Sequence, residues 1–199
     1  PGGGYPQKVM STIPSSPSSS PSRPATAVIL AAGRGTRMRS EHPKVMHPLA
    51  GRPMLRHLLD NAEQVFDRIV VVIGPGMEEV AALAAPHVAV VQADRLGTAH
   101  AALQAQAYFG TGDVAVLYGD NPLITAQTMR DLLACRRLPG VGLALLAMRP
   151  ANPGRYGRVV TQGDEVVRIV EWADATPDER AIDLCNAGVL CADAHDFRR

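Results

Sequence analysis

The chain has 199 residues, 46% of them apolar and only 4% aromatic, and its formal net charge is +1. That size and apolar content suit one domain with an aliphatic core, and the balanced charge excludes the broad basic surface expected of a nucleic-acid or anionic-membrane partner. No window reaches the roughly eighteen apolar residues of a membrane span and no apolar leader opens the chain, so neither membrane insertion nor secretion is predicted. Cys135, Cys185 and Cys191 lack metal-type spacing and read as reduced thiols, which suits a cytoplasmic protein.

Residues 1–24 are dominated by Pro, Ser and Gly and are predicted to be a disordered tail, because they cannot bury enough apolar area to offset chain entropy. Met10 opens Met-Ser-Thr-Ile, so residues 1–9 read as an addition, either natural upstream sequence or of cloning origin. From residue 25 to residue 199 one domain is expected. Short apolar runs alternate with amphipathic stretches, the pattern of an α/β fold with a mainly parallel sheet. Strands are predicted at 27–31, 68–73, 88–92, 114–118 and 142–148, and helices at 53–65, 77–84, 98–109 and 126–135, with Pro53 in a first helical turn. After Arg149 the rhythm changes to Gly, Pro and short β patterns at 156–161, 166–171 and 184–191, read as a smaller antiparallel lobe. In such a fold ligands gather at the carboxyl ends of the parallel strands.

The first strand empties into Leu30-Ala-Ala-Gly-Arg-Gly-Thr-Arg-Met38, followed by Pro43-Lys44. Gly33 and Gly35 permit close backbone approach, and Arg34, Arg37 and Lys44 supply cations, so the segment reads as a phosphate cradle. It lacks both the P-loop spacing and the third glycine of a dinucleotide fingerprint. Asp120, just beyond the apolar run 114–118, is the candidate metal ligand, since a strand-end carboxylate can hold a hard cation whose shell waters and phosphates complete. His47, His57 and His100 show no metal spacing and read as structural or surface residues.

The glycine segment resembles the signature of sugar-phosphate nucleotidyltransferases. Gln92-Ala-Asp-Arg-Leu-Gly-Thr-Ala-His100 and Tyr118-Gly-Asp-Asn-Pro-Leu-Ile124 are similar to the corresponding blocks of the bacterial N-acetylglucosamine-1-phosphate uridylyltransferases, the N-terminal half of a bifunctional enzyme. The resemblance runs from about residue 27 to residue 193. It implies a Rossmann-like, GT-A-like nucleotidyltransferase sheet with helices on both faces and a small antiparallel sugar-binding lobe. It also implies a Mg²⁺-assisted, in-line attack of N-acetylglucosamine 1-phosphate on the α-phosphorus of UTP, giving UDP-N-acetylglucosamine, a precursor for cell-wall synthesis, and pyrophosphate. Arg37 and Lys44 are implied as the catalytic cations and Asp120 as the metal ligand. Leu30, Ala31, Ala32 and Gly33 are implied on the nucleotide, Gln92, Gly97 and Thr98 on uracil, and Tyr118, Gly119, Gly157, Glu171 and Asn186 in the nucleotide and sugar pocket.

Three positions depart from that pattern. Trp172 and Ala173 follow the glutamate where a lysine is common, and Ala187 stands where a hydroxyl residue usually follows the asparagine. The chain stops at Arg199, before the family's second metal ligand and before its acetyltransferase half, on which the family trimer depends. An N-terminal fragment that binds UTP weakly and turns over poorly or not at all is therefore expected. The alternatives are a molybdopterin- or alcohol-phosphate nucleotidyltransferase, which shares the glycine loop and the lysine, and a module that binds nucleotide sugars without turnover.

Overall fold

The computed structural model describes residues 23–33, 42–94, 96–163 and 165–198. Two compact units emerge: one gathers the described residues of Pro21–Arg130 and Asp193–Arg199, the other Asp131–Ala192. The expected tail up to residue 22 lies outside the described residues, as do Arg34, Gly35 and Arg37.

The larger unit is built on β1, Ala25–Leu30, in which Ala27, Val28 and Ile29 are wholly buried. A strand covered on both faces must be apolar throughout rather than alternating, and this one is. A two-residue hairpin follows, β2 (Pro48–Leu49) and β3 (Arg52–Pro53), turning through Ala50 and Gly51, both at positive φ. Helix α1, Met54–Ala62, buries Leu55, Leu58, Leu59 and Ala62 completely, one face at helical spacing. Pro53 was expected inside this helix. It instead ends β3 with ψ 140, extended backbone, and α1 begins one residue later. Next come β4 (Arg68–Ile73), α2 (Glu78–Ala84), β5 (Val88–Val91), α3 (Thr98–Leu103) and β6 (Asp113–Tyr118).

Within this unit the strand order is β5-β4-β1-β6, all parallel. Leu30 stands opposite Val72 on one side and Tyr118 on the other, so the carboxyl ends of β4, β1 and β6 lie level. Ala31, expected in β1, is just past its end, buried and tied by its N–H to the Val72 carbonyl at 2.7 Å. The expected helix 98–109 breaks after Leu103. Its backbone bonds shorten to the i−3 partner, as in Gln104 to Ala101 and Ala105 to Ala102, and a 3₁₀ turn at Gln106–Tyr108 brings Phe109 into the core against Phe197 at 5.8 Å. Phe197 ends helix α6, Ala194–Phe197.

Helix α4, Ala126–Arg136, leads into the smaller unit, which holds β7 (Leu143–Met148), β8 (Arg158–Gln162), β9 (Glu165–Val170), α5 (Pro177–Arg180) and most of β10 (Cys185–Asp193). Its pairings are antiparallel, β7 with β10, β10 with β8 and β8 with β9, as the change of rhythm after Arg149 predicts. Thr176 and Glu179 form a reciprocal capping box that starts α5 behind Pro177. Helix α6, Ala194–Phe197, closes the chain in the larger unit, its Asp193 cap accepting from the His195 N–H. Cys135, Cys185 and Cys191 are thiols outside any disulfide, with Cys185 and Cys191 buried. Among the described residues no helix is long and apolar enough to cross a membrane.

Trp172, the residue that departs from the family pattern, has a definite place here. Its ring lies 4.9 Å from the guanidinium carbons of both Arg158 and Arg180. Arg158 is 1% exposed and donates to the carbonyls of Pro153, Gly154, Tyr156 and Arg180. An aromatic face is the neutral surface that two guanidinium groups can share. Replacing it with the family's cation, Trp172→Lys, should lower stability by about 1–3 kcal/mol through lost cation–π contacts and like-charge repulsion, whereas Trp172→Phe should keep most of it. Thermal unfolding of the two variants checks this; equal melting temperatures would remove the ring from the account.

A second expectation concerns Gly119, just after β6. A Cβ built there would lie 2.9 Å from Val45 Cγ1 and 3.2 Å from the Leu30 carbonyl oxygen. Gly119→Ala should cost roughly 1–3 kcal/mol by overpacking, and Val45→Ala in the same chain should recover part of the loss. Unfolding of the single and double variants measures the coupling; simple additivity would contradict it.

Candidate nucleotide site

At the carboxyl ends of β1, β5 and β6 the larger unit opens a cavity of about 320 Å³. Its lining contains Leu30, Ala32 and Gly33 after β1, Lys44 and Val45 from a 3₁₀ turn at Lys44–Met46, Gln92 after β5, Gly97, Thr98 and Ala101 at the start of α3, and Tyr118 and Asp120 at the end of β6. Nine of the residues singled out from sequence thus meet on one concave surface.

The polar centre is an ion pair. Lys44 Nζ donates to Asp120 Oδ2 at 2.5 Å, with 43% and 29% of the side chains exposed. Lys44 stands there because its neighbour Val45, 3% exposed, is packed against the β6 end. Gly119 permits that approach, and its own N–H donates to the Leu30 carbonyl at 2.9 Å. Ala31 and Gly119 therefore serve as the floor beneath the cavity rather than its surface. Among the described residues nothing lies within 4 Å of a Cβ built at Gly33, so the backbone at that residue is open.

The other wall is polar but uncharged. Gln92 is 4% exposed, its N–H bonded to the Ile73 carbonyl at 2.8 Å and its side-chain Nε2 3.3 Å from the Gly97 carbonyl. Gly97 has φ 99 and ψ −179, a region essentially closed to residues with a side chain, and it launches α3 by accepting from the Ala101 N–H at 3.0 Å. Val45, Ala101 and His100 were not assigned to the site from sequence. Ala101 could have been found, since it lies three residues after Thr98 on the same helical face; Val45 carries no local signal beyond being apolar beside Lys44.

Gly157, Glu171 and Asn186 come together in the smaller unit. A Cβ at Gly157 would lie 3.1 Å from Glu171 Oε1, and the Asn186 N–H donates to the Gly157 carbonyl at 2.8 Å. Asn186 Oδ1 accepts from the Gly188 N–H at 2.8 Å, where β10 breaks its register with β7, so the asparagine offers its amide N–H groups outward. Arg37 lies outside the described residues. Among the described residues no three His, Cys, Asp or Glu side chains gather as a ready-made cation cage. The donor set at Asp120, one carboxylate beside open phosphate-binding backbone, fits a Mg²⁺ that shares its shell with substrate phosphates and water.

Comparison with known proteins agrees with this geometry. The model of the MobA-like NTP transferase domain matches residues 27–182. A protein named Bifunctional protein GlmU from Gluconacetobacter diazotrophicus is 74% identical over 194 residues, covering 94% of this chain and 42% of that protein. Its namesake from Gluconobacter oxydans is 62% identical over 173 residues, covering 87% and 39%. The chain therefore spans about two fifths of the length of the curated relatives it matches. The fold recurs in a Bacillus anthracis structure assigned as a glucose-1-phosphate thymidylyltransferase, with TM-score 0.71, 20% identity and coverage of 87% of this chain and 73% of that one. It recurs again in a CMP:2-keto-3-deoxy-manno-octonic acid synthetase complexed with CTP, with TM-score 0.67, 21% identity and coverage of 88% and 76%. The matched span starts inside β1 and ends just past α5, taking in every segment that lines the cavity, and the chain belongs to the family of MobA-like NTP transferase domains.

Proposed function

We propose that this chain is a sugar-phosphate uridylyltransferase, the N-terminal part of a longer bifunctional enzyme, which makes UDP-N-acetylglucosamine and pyrophosphate from UTP and N-acetylglucosamine 1-phosphate in the cytoplasm. The observation that carries the reading is the single cavity on which the glycine-loop backbone, the Lys44–Asp120 pair and the Gln92–Gly97–Thr98 wall converge. One side suits phosphates and the other a base edge. The high identity of the relatives, each named as a bifunctional protein, supports the assignment.

In-line transfer needs no covalent enzyme nucleophile. An oxygen of the sugar 1-phosphate forms the new bond to the α-phosphorus of UTP while the bond to pyrophosphate breaks, and the protein's work is to align two polyanions and offset their charge. Lys44, paired with Asp120, exchanges that carboxylate for phosphate oxygens, which its ammonium N–H groups suit equally well. Asp120 Oδ2 is then available to a Mg²⁺ accompanying the triphosphate, which supplies Lewis-acid stabilisation of phosphate charge when bound. The backbone at Gly33 lies against the phosphates, Arg37 adds a cation to the triphosphate, and Gln92 with Gly97 and Thr98 takes uracil. Leu30, Ala32 and Tyr118 form the apolar side of the nucleotide pocket. Glu171 accepts from sugar hydroxyls, and Asn186, whose oxygen is engaged by Gly188, donates to the N-acetyl carbonyl.

Incubation with UTP, N-acetylglucosamine 1-phosphate and Mg²⁺ tests the reaction: equal amounts of UDP-N-acetylglucosamine and pyrophosphate are expected, however slow the turnover, and preferential use of another sugar 1-phosphate would overturn it. Lys44→Ala should weaken UTP binding by about 10- to 100-fold, the worth of one charge-assisted contact in a half-exposed site, with little change in melting temperature. Asp120→Asn should act differently. It removes a negative charge and releases Lys44, so UTP without Mg²⁺ should bind as well as before or better, while the gain on adding Mg²⁺ should largely vanish. Calorimetric titration with and without the ion reads both variants; an undiminished Mg²⁺ effect would remove Asp120 from the metal site.

A further inference from the structure

His100 lies one residue behind the cavity wall, and its ring stands between two side-chain amides. On one side Gln92 Nε2 is 3.2 Å from His100 Nδ1 and 3.3 Å from the Gly97 carbonyl oxygen. On the other, Gln104 Nε2 is 3.2 Å from His100 Nε2 and 3.1 Å from the His100 carbonyl oxygen. A neutral imidazole carries one N–H and one lone pair in the ring plane, so it can accept from one amide only, and the other amide must present its oxygen. Which one turns is decided by surroundings. Turning Gln92, 4% exposed, would set its carbonyl oxygen against the Gly97 carbonyl in a nearly dry place, leaving two buried acceptors face to face. Gln104 is half-buried on a short helix, and water can replace its bond to the His100 carbonyl. The consistent arrangement has the proton on His100 Nε2, donated to Gln104, and the lone pair on Nδ1 accepting from Gln92. Both Gln92 amide hydrogens are then engaged, one by Gly97 and one by His100. What remains for a ligand in the cavity is the carbonyl oxygen, an acceptor.

We infer that His100 is a positioning residue for base selection: by holding the Gln92 amide with its oxygen toward the cavity, it favours a pyrimidine with an N–H at N3, as in uracil, over one with a lone pair there, as in cytosine. The inference rests on the uridylyl-transfer reading and adds a residue to it. His100 touches no substrate; it sets which atom of Gln92 does.

Calorimetric titration of UTP and CTP, each with Mg²⁺, on the wild-type chain, His100→Ala and His100→Asn tests it. The wild type should prefer UTP, His100→Ala should reduce the UTP-to-CTP affinity ratio about tenfold as the amide becomes free to turn, and His100→Asn should restore it. The asparagine Oδ1 takes the place of Nδ1 as acceptor, which makes it the conservative rescue. A histidine that merely supports α3 would weaken both nucleotides alike, and an unchanged ratio in His100→Ala beside a selective wild type overturns this inference alone. A wild type that binds UTP and CTP equally overturns the uridylyl reading as well. Should His100→Ala fail to fold, the ring ¹⁵N spectrum of the wild type decides: the Nε2–H tautomer supports the assignment and the Nδ1–H tautomer overturns it.

Discussion

Lys44 reaches Asp120 because Gly119 has no side chain. Val45 fills the space a Cβ would need, the turn at Lys44–Met46 is thereby packed onto the end of β6, and the lysine beside Val45 lands 2.5 Å from the carboxylate one residue past Gly119. The parallel register does the rest. With Leu30 level with Tyr118 and Val72, the segments leaving β1 and β6 start from the same height and open toward the same side as Gln92 does beyond β5. The cavity follows from level strand ends and one close backbone approach.

Two kinds of physics divide that cavity. On the phosphate side the groups are ionic and partly exposed, so their interactions are tuned by water and by the charge of whatever enters; Lys44 and Asp120 satisfy each other until a stronger partner arrives. On the Gln92 side the side chain is nearly dry and its amide nitrogen lies between the Gly97 carbonyl and His100 Nδ1, so its orientation is set by proton count rather than by charge. Under the proposed function the first side would answer to a triphosphate and its cation, the second to the edge of a base. The backbone at Gly97, in a region only glycine adopts readily, joins them by starting α3 where the Gln92 side chain can reach its carbonyl.

Much of this was legible in the residues. The continuous apolar run Ile69–Ile73 is the signature of a strand buried on both faces, and the expected bounds Arg68–Ile73 agree residue for residue with β4. The motif glycines, Lys44, Gln92 and Asp120 stand out through the motif blocks they belong to, since Gly and Asp alone are common in turns. What stayed hidden depends on tertiary partners. Pro53 suits a first helical turn locally, but the hairpin through Ala50 and Gly51 claims it for β3. The stretch after Leu103 keeps helical periodicity, yet burying Phe109 beside Phe197 requires a tighter turn, and Phe197 is far away in sequence. His100 lacks metal spacing and so reads as structural; its contact with Gln92 becomes visible only once β5 and α3 are folded back on each other. The place of Trp172 likewise needs the fold, which brings two guanidinium groups onto its ring.

The most direct test of the shared cavity is a map of backbone amide shifts during titration of the ¹⁵N-labelled protein with UTP and Mg²⁺. Saturable shifts should cluster at Gly33, Lys44, Gln92, Gly97, Thr98 and Asp120, from three separate strand ends moving with one binding constant. Shifts confined to one of these segments, or centred elsewhere on the molecule, would contradict the claim that the glycine loop, the Lys44–Asp120 pair and the Gln92 wall form a single nucleotide site.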